Sequence, residues 1–267
     1  MGPSIKSQIK GAVLSAFPEL ALQFFAVRSR RMVEAQSRAL GLDRMAREVS
    51  RATRSMVAAG PFVGMKLDYE LFPVHTSPKF LGTYEQELHG AIERAIQLHP
   101  RYVLNIGCAE GFYAIGLAMR LNDAQVFAAD ADPKALSATM KNAELNGVSA
   151  RVYPVGIVRP CQLSKYLKAE ASLAVVDCEG AEFTLLDPAN DPILLRTNIV
   201  VEIHHEFGEA SEIIRRFACT HNIIEISPAV RAAPDILTDR IRRVDLLRAA
   251  DERRGHQSWL FLEVNAR

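Results

Sequence analysis

Residues 102–112 read YVLNIGCAEGF, and this stretch decides the fold. Its first half, Tyr102–Ile106, is a short apolar run that predicts a buried strand, and an apolar helical pattern follows the stretch. Between them, the small residues Gly107, Ala109 and Gly111 permit a tight turn. A strand, a tight turn and a helix N-terminus together bring backbone N–H groups close to a ligand. The stretch therefore predicts the first unit of a ligand-binding α/β domain.

Downstream of this unit, short apolar runs alternate with helical segments, which is the pattern of βαβ units in a parallel sheet. The seven strand candidates are residues 102–106, 126–129, 151–155, 173–176, 199–203, 223–226 and 259–264. The helix candidates are residues 84–98, 112–121, 133–145, 180–187, 208–218 and 237–250. We therefore expect an α/β fold built on a doubly wound sheet, preceded by a helical N-terminal extension.

Length and composition indicate one large domain, because 267 residues with 49% hydrophobic side chains can bury a sizeable core. We expect residues 1–80 to form a helical cap and connector, and residues 81–267 to form the ligand-binding domain. The formal net charge of +1 provides no overall field that would recruit nucleic acid or an anionic membrane. A nucleic-acid partner is therefore disfavoured on overall charge.

The four cysteines are widely spaced and form no Cys-x-x-Cys pair, so the sequence predicts neither a zinc site nor a disulfide framework. Pro18 and Glu19 interrupt the apolar stretch near the N-terminus, which argues against a secretory signal. No stretch has the length and apolar character of a membrane span. We therefore expect a soluble cytoplasmic protein with no membrane partner. Its oligomeric state is left open, with a homodimer as one option.

The N-terminal segment is basic. Up to residue 60 there are ten Lys or Arg against four Asp or Glu, a local net charge of +6. Most of the excess lies in the arginine-rich stretch 28–54. A solvated face on a helical cap explains this charge without any ligand, and binding to an acidic partner or a phosphorylated substrate is the alternative.

The spacing of the small residues distinguishes between classes of nucleotide-containing ligand. The turn has a G-x-A-x-G pattern, whereas the dinucleotide fingerprint is G-x-G-x-x-G. Glu110 lies inside the turn, where its carboxylate would repel a pyrophosphate bound at the helix N-terminus. The same carboxylate suits the ammonium group of an amino-acid ligand. An NAD-dependent oxidoreductase is therefore the least favoured interpretation.

The second predicted strand ends at Asp130, which follows Gly107 by 23 positions. An acid at about this spacing, roughly 20 residues, accepts hydrogen bonds from the ribose of adenosine-containing cofactors. Asp132 directly precedes Pro133 at a predicted helix start, where a role as the N-cap residue explains an aspartate without any ligand. We therefore assign Asp130 to a ribose and keep Asp132 as the second candidate.

Four longer segments carry a resemblance to a known family. Residues 103–118 (VLNIGCAEGFYAIGLA) and 127–136 (FAADADPKAL) resemble the first two motifs of class I S-adenosylmethionine (SAM)-dependent methyltransferases. Residues 173–188 (LAVVDCEGAEFTLLDP) and 198–207 (NIVVEIHHEF) resemble the D-x-E-G-x-E and E-I-H segments of the FkbM-like methyltransferase family. The resemblance covers roughly residues 80–265.

This resemblance implies a seven-stranded Rossmann-like methyltransferase sheet whose last hairpin is antiparallel. SAM would lie across the carboxyl ends of the first two strands, and its methyl group would pass to an oxygen of a small molecule or sugar. The methionine end would be held by the loop residues Asn105, Gly107, Ala109, Glu110 and Gly111. Asp130 would hold the ribose, and Gly156 would lie near the adenine. Asn105 and Ala109 stand where an acid and a glycine are frequent, which are mild departures.

Acids at the end of the fourth strand are candidates for the chemistry. Asp177 ends that strand, where ligands of open α/β sheets bind, so we place it near the reacting methyl group and among the cofactor-side residues. A hydroxyl acceptor usually needs a base, and Asp177, Glu179 or Glu182 can take its proton or hold the acceptor. His204 is our preferred general base, because histidine titrates near neutral pH.

Strand alternation from Glu202 would place His204 and Glu206 on one face. Asp177, His204 and Glu206 could then bind a divalent metal ion that lowers the pKa of a substrate hydroxyl. We treat such an ion as an option and predict no metal site.

The N/D-P-P-Y/F tetrapeptide of amino-group methyltransferases is absent after the fourth strand, where residues 177–180 read DCEG. The sequence therefore favours a SAM-dependent O-methyltransferase for a small metabolite or glycan. Two alternatives stay open. One is methylation of RNA or protein through the basic N-terminal cap, and the other is a non-catalytic SAM-binding module.

Overall fold

The computed structural model describes residues 38–71, 76–229, 241, 243–250 and 257–265, together with helical positions 27–28, 31–32 and 34–35. Within these residues the strands are β1 (Tyr102–Ile106), β2 (Gln125–Ala129), β3 (Val152–Val155), β4 (Ser172–Val176), β5 (Thr197–His204), β6 (His221–Ile226) and β7 (Gln257–Val264). They form one seven-stranded sheet in the order β3-β2-β1-β4-β5-β7-β6.

Strands β1 to β5 pair in parallel, and β7 pairs antiparallel with both β5 and β6. The predicted doubly wound, seven-stranded sheet with an antiparallel last hairpin is confirmed. Because the strand order reverses between β1 and β4, a ligand crevice is expected at the carboxyl ends of these two strands. Val103, Leu104, Leu173 and Ala174 are fully buried, which explains why the central strands are continuous apolar runs in the sequence.

The helices with described bounds are α1 (Leu42–Thr53), α2 (Thr76–Leu81), α3 (His89–Gln97), α4 (Phe112–Arg120), α5 (Pro133–Leu145), α6 (Glu182–Leu185), α7 (Ala210–Phe217) and α8 (Arg243–Ala250). Short 3₁₀ segments occupy Gln86–Leu88, Ser149–Arg151, Leu163–Lys165 and Pro192–Arg196. None of the described helices combines the length and apolar character needed to cross a membrane. The predicted helices before residue 27 and at positions 237–240 lie outside the described residues.

Helix α5 begins where the sequence predicts. Asp132 accepts the backbone N–H of Lys134 at 2.9 Å, and Pro133 occupies the first helical position.

The predicted helix 84–98 begins later than expected. Glu85 has a φ of 45°, which no helical residue adopts, so a 3₁₀ turn precedes α3. Thr83 precedes this turn, and its hydroxyl donates to the carbonyl oxygen of Pro78 at 3.5 Å.

The connector between α1 and α3, which the sequence predicts as irregular, packs into the core and contains α2. Phe62 is 3% exposed, and its ring lies edge-on to that of Phe112 in α4 with 5.4 Å between centroids. Gly116 makes this packing feasible, because a Cβ there would lie 2.3 Å from Phe62 Cγ. The connector thus supports α4, the helix that follows β1. The division of the chain at residue 80 stays a prediction.

Candidate active site

The strand register places three loop starts at one edge of the sheet. The last residue of β1 pairs with the last residue of β2 and with the last residue of β4. The residues that follow, Gly107, Asp130 and Asp177, therefore lie at the carboxyl ends of three neighbouring strands. This is the edge where open α/β sheets bind their ligands.

Gly107 packs against the backbone of Asp177. Its φ is 79°, in the left-handed region, and a Cβ built there would lie 1.6 Å from the carbonyl oxygen of Asp177. The Gly107 N–H donates to the carbonyl oxygen of Ala129 at 2.9 Å. Glycine thus allows the loop after β1 to cross directly over the end of β4.

The carboxylate of Asp130 fixes this loop from the β2 side. Its Oδ2 accepts the N–H of Ala109 at 2.9 Å, and its Oδ1 accepts the N–H of Asp132 at 2.8 Å. Burial raises the pKa of Asp130 to about 6, although both N–H donors act to lower it, and the charges of Asp132 and Asp177 raise it further. The group is therefore ionised at neutral pH and can accept further hydrogen bonds.

The other residues that the sequence predicts to lie near the cofactor differ in burial and in hydrogen bonding. Asp132 is buried and caps α5, which accounts for it without a ligand. Asn105 is buried in β1 and donates to the carbonyl oxygen of Val175 at 3.3 Å. Its Oδ1 has no hydrogen-bond partner among the described residues. Gly156 is exposed after β3, and a Cβ there would meet open space, so nothing at this position requires glycine.

Glu110 forms a buried ion pair that the sequence analysis missed. Its Oε1 lies 2.5 Å from Nζ of Lys79, and the side chains of Lys79 and Glu110 are 4% and 5% exposed. Lys79 Nζ also lies 4.7 Å from the centroid of the Tyr84 ring. Oε2 of Glu110 is buried without a partner among the described residues. Lys79 thus supplies a positive charge that the sequence analysis expected from a ligand, and one Glu110 oxygen remains unpaired.

Two side chains of helix α5 hold the same loop by donating hydrogen bonds to the loop's carbonyl groups. Thr139 Oγ1 donates to the carbonyl oxygen of Ala109 at 2.9 Å, and Asn142 Nδ2 donates to that of Glu110 at 3.2 Å. Gly111 ends the loop with a φ of 91° and precedes the first residue of α4. The loop is therefore fixed from β2, β4 and α5 before any ligand binds.

At the end of β5, the imidazole of His204 is held by Glu182. Glu182 Oε1 lies 3.0 Å from His204 Nδ1 and accepts the His204 backbone N–H at 2.9 Å. Both residues are buried, and the second Glu182 oxygen accepts the N–H of Gly180 at 2.9 Å. A hydrogen bond from Nδ1–H leaves Nε2 directed at the acids after β4. Nε2 lies 3.7 Å from Asp177 Oδ1 and 3.8 Å from Glu179 Oε2, so the three predicted catalytic residues come together.

The charges around His204 raise its pKa. Burial lowers the pKa of His204, but the hydrogen bond to Glu182 and the charges of Asp177, Glu182 and Glu179 outweigh that effect. Burial raises the pKa of Glu182, whereas the hydrogen bond and charge of His204 bring it below its ordinary value. The two side chains therefore stabilise each other's charged form.

A fourth acid near His204 comes from within β5. One potential ligand atom from each of Asp177, Glu202 and His204 lies within 4.8 Å of the others. The expectation that Glu206 shares this face is wrong, because β5 ends at His204 and Glu206 lies exposed in the following turn. The side-chain alternation of a strand does not continue past its last residue.

The segment that contains the loop after β1 is similar to known proteins. Residues 89–175 match the family of ribosomal protein L11 methyltransferases (PrmA). The ribosomal protein L11 methyltransferase of Acinetobacter baylyi is 40% identical over 79 residues, which are 30% of this chain and 25% of that protein. The release factor glutamine methyltransferase of Chlorobaculum tepidum is 35% identical over 85 residues, which are 32% of this chain and 25% of that protein. The chain thus spans about a quarter of the length of these curated relatives.

Among solved structures, an O-methyltransferase from Bacillus cereus in complex with SAH has a TM-score of 0.45 and 15% sequence identity. That likeness covers 67% of this chain and 80% of the Bacillus chain. The matched residues 89–175 contain β1, β2, β3 and the loops of Gly107 and Asp130. Residues 89–175 are therefore similar to a methyltransferase family, and they include the first half of the candidate site. Assignment to the FkbM-like family stays a prediction.

Proposed function

We propose that the protein is a SAM-dependent methyltransferase that transfers the methyl group to an oxygen atom. The observation that carries the proposal is the Asp130 carboxylate, which holds the glycine loop through Ala109 N–H at 2.9 Å. It lies at the ends of β1 and β2, where this class of fold holds a ribose, and burial raises its pKa only to about 6. The match of residues 89–175 to a methyltransferase family supports the same assignment.

The residues beside the loop fit the amino-acid end of SAM. The unpaired, buried Oε2 of Glu110 is an acceptor that suits an ammonium group. The adjacent Lys79 is a cation that suits a carboxylate. Bound SAM supplies an electrophilic methyl group on a sulfonium centre. The protein would position SAM relative to the acceptor. Gly107 packs on the Asp177 backbone, which keeps the loop after β1 beside the acids after β4.

In this proposal the acceptor hydroxyl binds beside Asp177, Glu179 and His204. His204 Nε2 lies 3.7 Å from Asp177 and 3.8 Å from Glu179, so one hydroxyl group can contact all three side chains. Together they polarise the hydroxyl and accept its proton, which makes the oxygen a better nucleophile. Glu182 is a positioning residue, because it orients His204 from a fully buried site.

The experiment is a calorimetric titration of the purified protein with SAM, SAH and NADH. We expect SAM and SAH to bind, and Asp130→Ala to weaken both by about 10- to 100-fold, the range for a lost hydrogen bond to a charged group. Asp123→Ala is the matched control, because Asp123 lies in an exposed turn. Binding of NADH without SAM would overturn the proposal.

The acceptor class is proposed to be a small metabolite or sugar. A protein substrate is the second candidate, because the family that matches residues 89–175 is named for ribosomal protein L11, and a second curated relative is named for a release factor. Incubation with methyl-tritiated SAM and a fractionated cell extract separates the two. Label in the small-molecule fraction supports the first candidate, and label in protein supports the second. Label in RNA overturns both, and SAM binding with no transfer favours a non-catalytic SAM-binding module.

A further inference from the structure

We propose that Asp177, Glu202 and His204 form a binding site for a divalent metal ion. The inference rests on the proposed function, because it gives the ion a role in activating the acceptor hydroxyl. The three side chains come from two adjacent strands, since Asp177 follows β4 and the other two residues lie in β5. Val176 pairs with Val201, so Asp177 and Glu202 lie at the same level of the sheet. The site therefore belongs to the rigid edge of the sheet.

The donor atoms lie at separations that one cation can bridge. One potential ligand atom from each residue lies within 4.8 Å of the others, and the separation of His204 Nε2 and Asp177 Oδ1 is 3.7 Å. With metal–ligand distances of about 2.1 Å in an octahedral site, neighbouring ligands are about 3 Å apart and opposite ligands about 4.2 Å apart. Asp177 is 36% exposed, so a small rotation of its side chain can close the remaining gap.

Glu182 prepares His204 for this role. Metal-bound histidines usually donate their other ring N–H to a carboxylate, which fixes the tautomer and the ring orientation. Here Nδ1 lies 3.0 Å from Glu182 Oε1, and Glu182 is 0% exposed. Its second oxygen is held by the N–H of Gly180 at 2.9 Å, so this carboxylate is fixed outside the ligand set. The ring orientation then directs Nε2 at Asp177.

Two carboxylates approach Nε2 without bonding to it. Asp177 and Glu179 lie 3.7 and 3.8 Å from this nitrogen, which is longer than a hydrogen bond. Both separations fall between those of neighbouring and opposite ligands of one octahedral ion, about 3 and 4.2 Å. A mixed imidazole and carboxylate donor set suits Mn²⁺, Fe²⁺ or Zn²⁺.

The ion would activate the acceptor hydroxyl by lowering its pKa. The hydroxyl proton would then leave toward solvent through Glu179, whose side chain is 76% exposed. The acceptor oxygen forms the new C–O bond with the methyl carbon as the C–S bond breaks, and the electron pair of that bond stays on sulfur. The products are the methyl ether, SAH and one proton. This assignment makes His204 a ligand and Glu179 the base.

The test measures Mn²⁺ binding by the full chain in the absence of any acceptor. Protein treated with EDTA and dialysed is titrated with MnCl₂, and free Mn²⁺ is followed by electron paramagnetic resonance. We expect one ion per chain, with binding weakened at least about tenfold in Asp177→Asn, Glu202→Gln and His204→Asn. Glu206→Gln is the matched control and should bind as the unchanged protein does, because Glu206 lies exposed in the turn after β5.

Far-UV circular dichroism shows that each variant is folded. SAM binding is measured on the same preparations and keeps the two proposals separable. SAM binding without Mn²⁺ binding overturns the metal site and leaves the proposed function intact. Mn²⁺ binding that all three ligand variants retain also overturns the site. Mn²⁺ binding that the three substitutions weaken, in a protein that does not bind SAM, supports the metal site and overturns the proposed function.

Discussion

Lys79 Nζ lies 2.5 Å from Glu110 Oε1, and this ion pair ties helix α2 to the loop after β1. The two side chains are 4% and 5% exposed, so water compensates neither charge. The residues are 31 positions apart in the sequence. The position of the cofactor loop therefore depends on a helix that precedes the whole sheet in the chain.

Lys79→Met should destabilise the protein by about 3–5 kcal/mol, because it leaves the buried Glu110 carboxylate unpaired. The double variant Lys79→Met/Glu110→Gln should recover most of that loss, since no buried charge remains. Urea unfolding measures both free energies. Arg94→Met is the control, because the Arg94–Glu263 pair is 49% and 23% exposed, so solvent screens it and its loss should change the stability little. A double variant as unstable as the single one would contradict this account of the pair.

Gly107→Ala should be far more damaging than Gly147→Ala. Both glycines have positive φ, 79° and 69°, but a Cβ at 107 would lie 1.6 Å from Asp177 O, whereas nothing lies within 4 Å of one at 147. We expect Gly147→Ala to cost about 1 kcal/mol for the left-handed backbone alone. Gly107→Ala should cost several times more, measured as the loss of unfolding free energy, and should abolish SAM binding. Equal losses would show that the contact with Asp177 does not constrain the loop.

SAM binding should weaken as the pH falls through about 6. Burial raises the pKa of Asp130 to about 6, and hydrogen bonds from ribose hydroxyls favour its ionised form. Below that pH the free protein carries a proton that binding must expel, so Kd should rise by up to about tenfold per pH unit. Calorimetric titrations across this range check the slope. 5′-Methylthioadenosine, which keeps the ribose and lacks the titrating amino-acid end, should behave in the same way, and a constant Kd for both ligands would exclude Asp130 as the ribose acid.

Phe62→Ala should cost about 3–5 kcal/mol of unfolding free energy, because it removes a buried ring and leaves a cavity against α4. Phe62 is 3% exposed, whereas the next residue, Val63, is 62% exposed. Val63→Ala should therefore change the stability by no more than about 0.5 kcal/mol. Denaturant titration of the two neighbours compares a core position with a surface position in the same segment. Similar small losses would mean that the connector is not part of the core.

The sheet was predictable from the sequence for a physical reason. Parallel strands buried on both faces are short apolar runs, and the small residues after Ile106 mark the first of the tight turns between them. Asp132 and Pro133 likewise predict the start of α5 by their chemistry alone. These signals come from residues that are adjacent in the sequence, so they can be recognised without the tertiary structure.

The candidate site was predictable only where its signals are local. Asp177 and His204 stand at strand ends, and the order of the strands brings them together. Lys79 was missed, because burial of a lysine depends on a carboxylate that only the tertiary fold places beside it. Glu206 was assigned to the wrong face, because alternation in the sequence does not reveal the residue at which a strand ends. Long-range pairing and strand ends are therefore the limits of the sequence analysis.

Strand β7 lies between β5 and β6, although both precede it in the chain. Its residues Trp259 and Gln257 pair with Glu202 and His204. During synthesis on the ribosome, one hydrogen-bonding edge of β5 therefore stays unpaired until residues 257–264 have been made. The parallel half of the sheet, with Gly107 and Asp130, has all its strands before then. The nascent chain should thus complete the side of the sheet with Gly107 and Asp130 first and the side with Glu202 and His204 last.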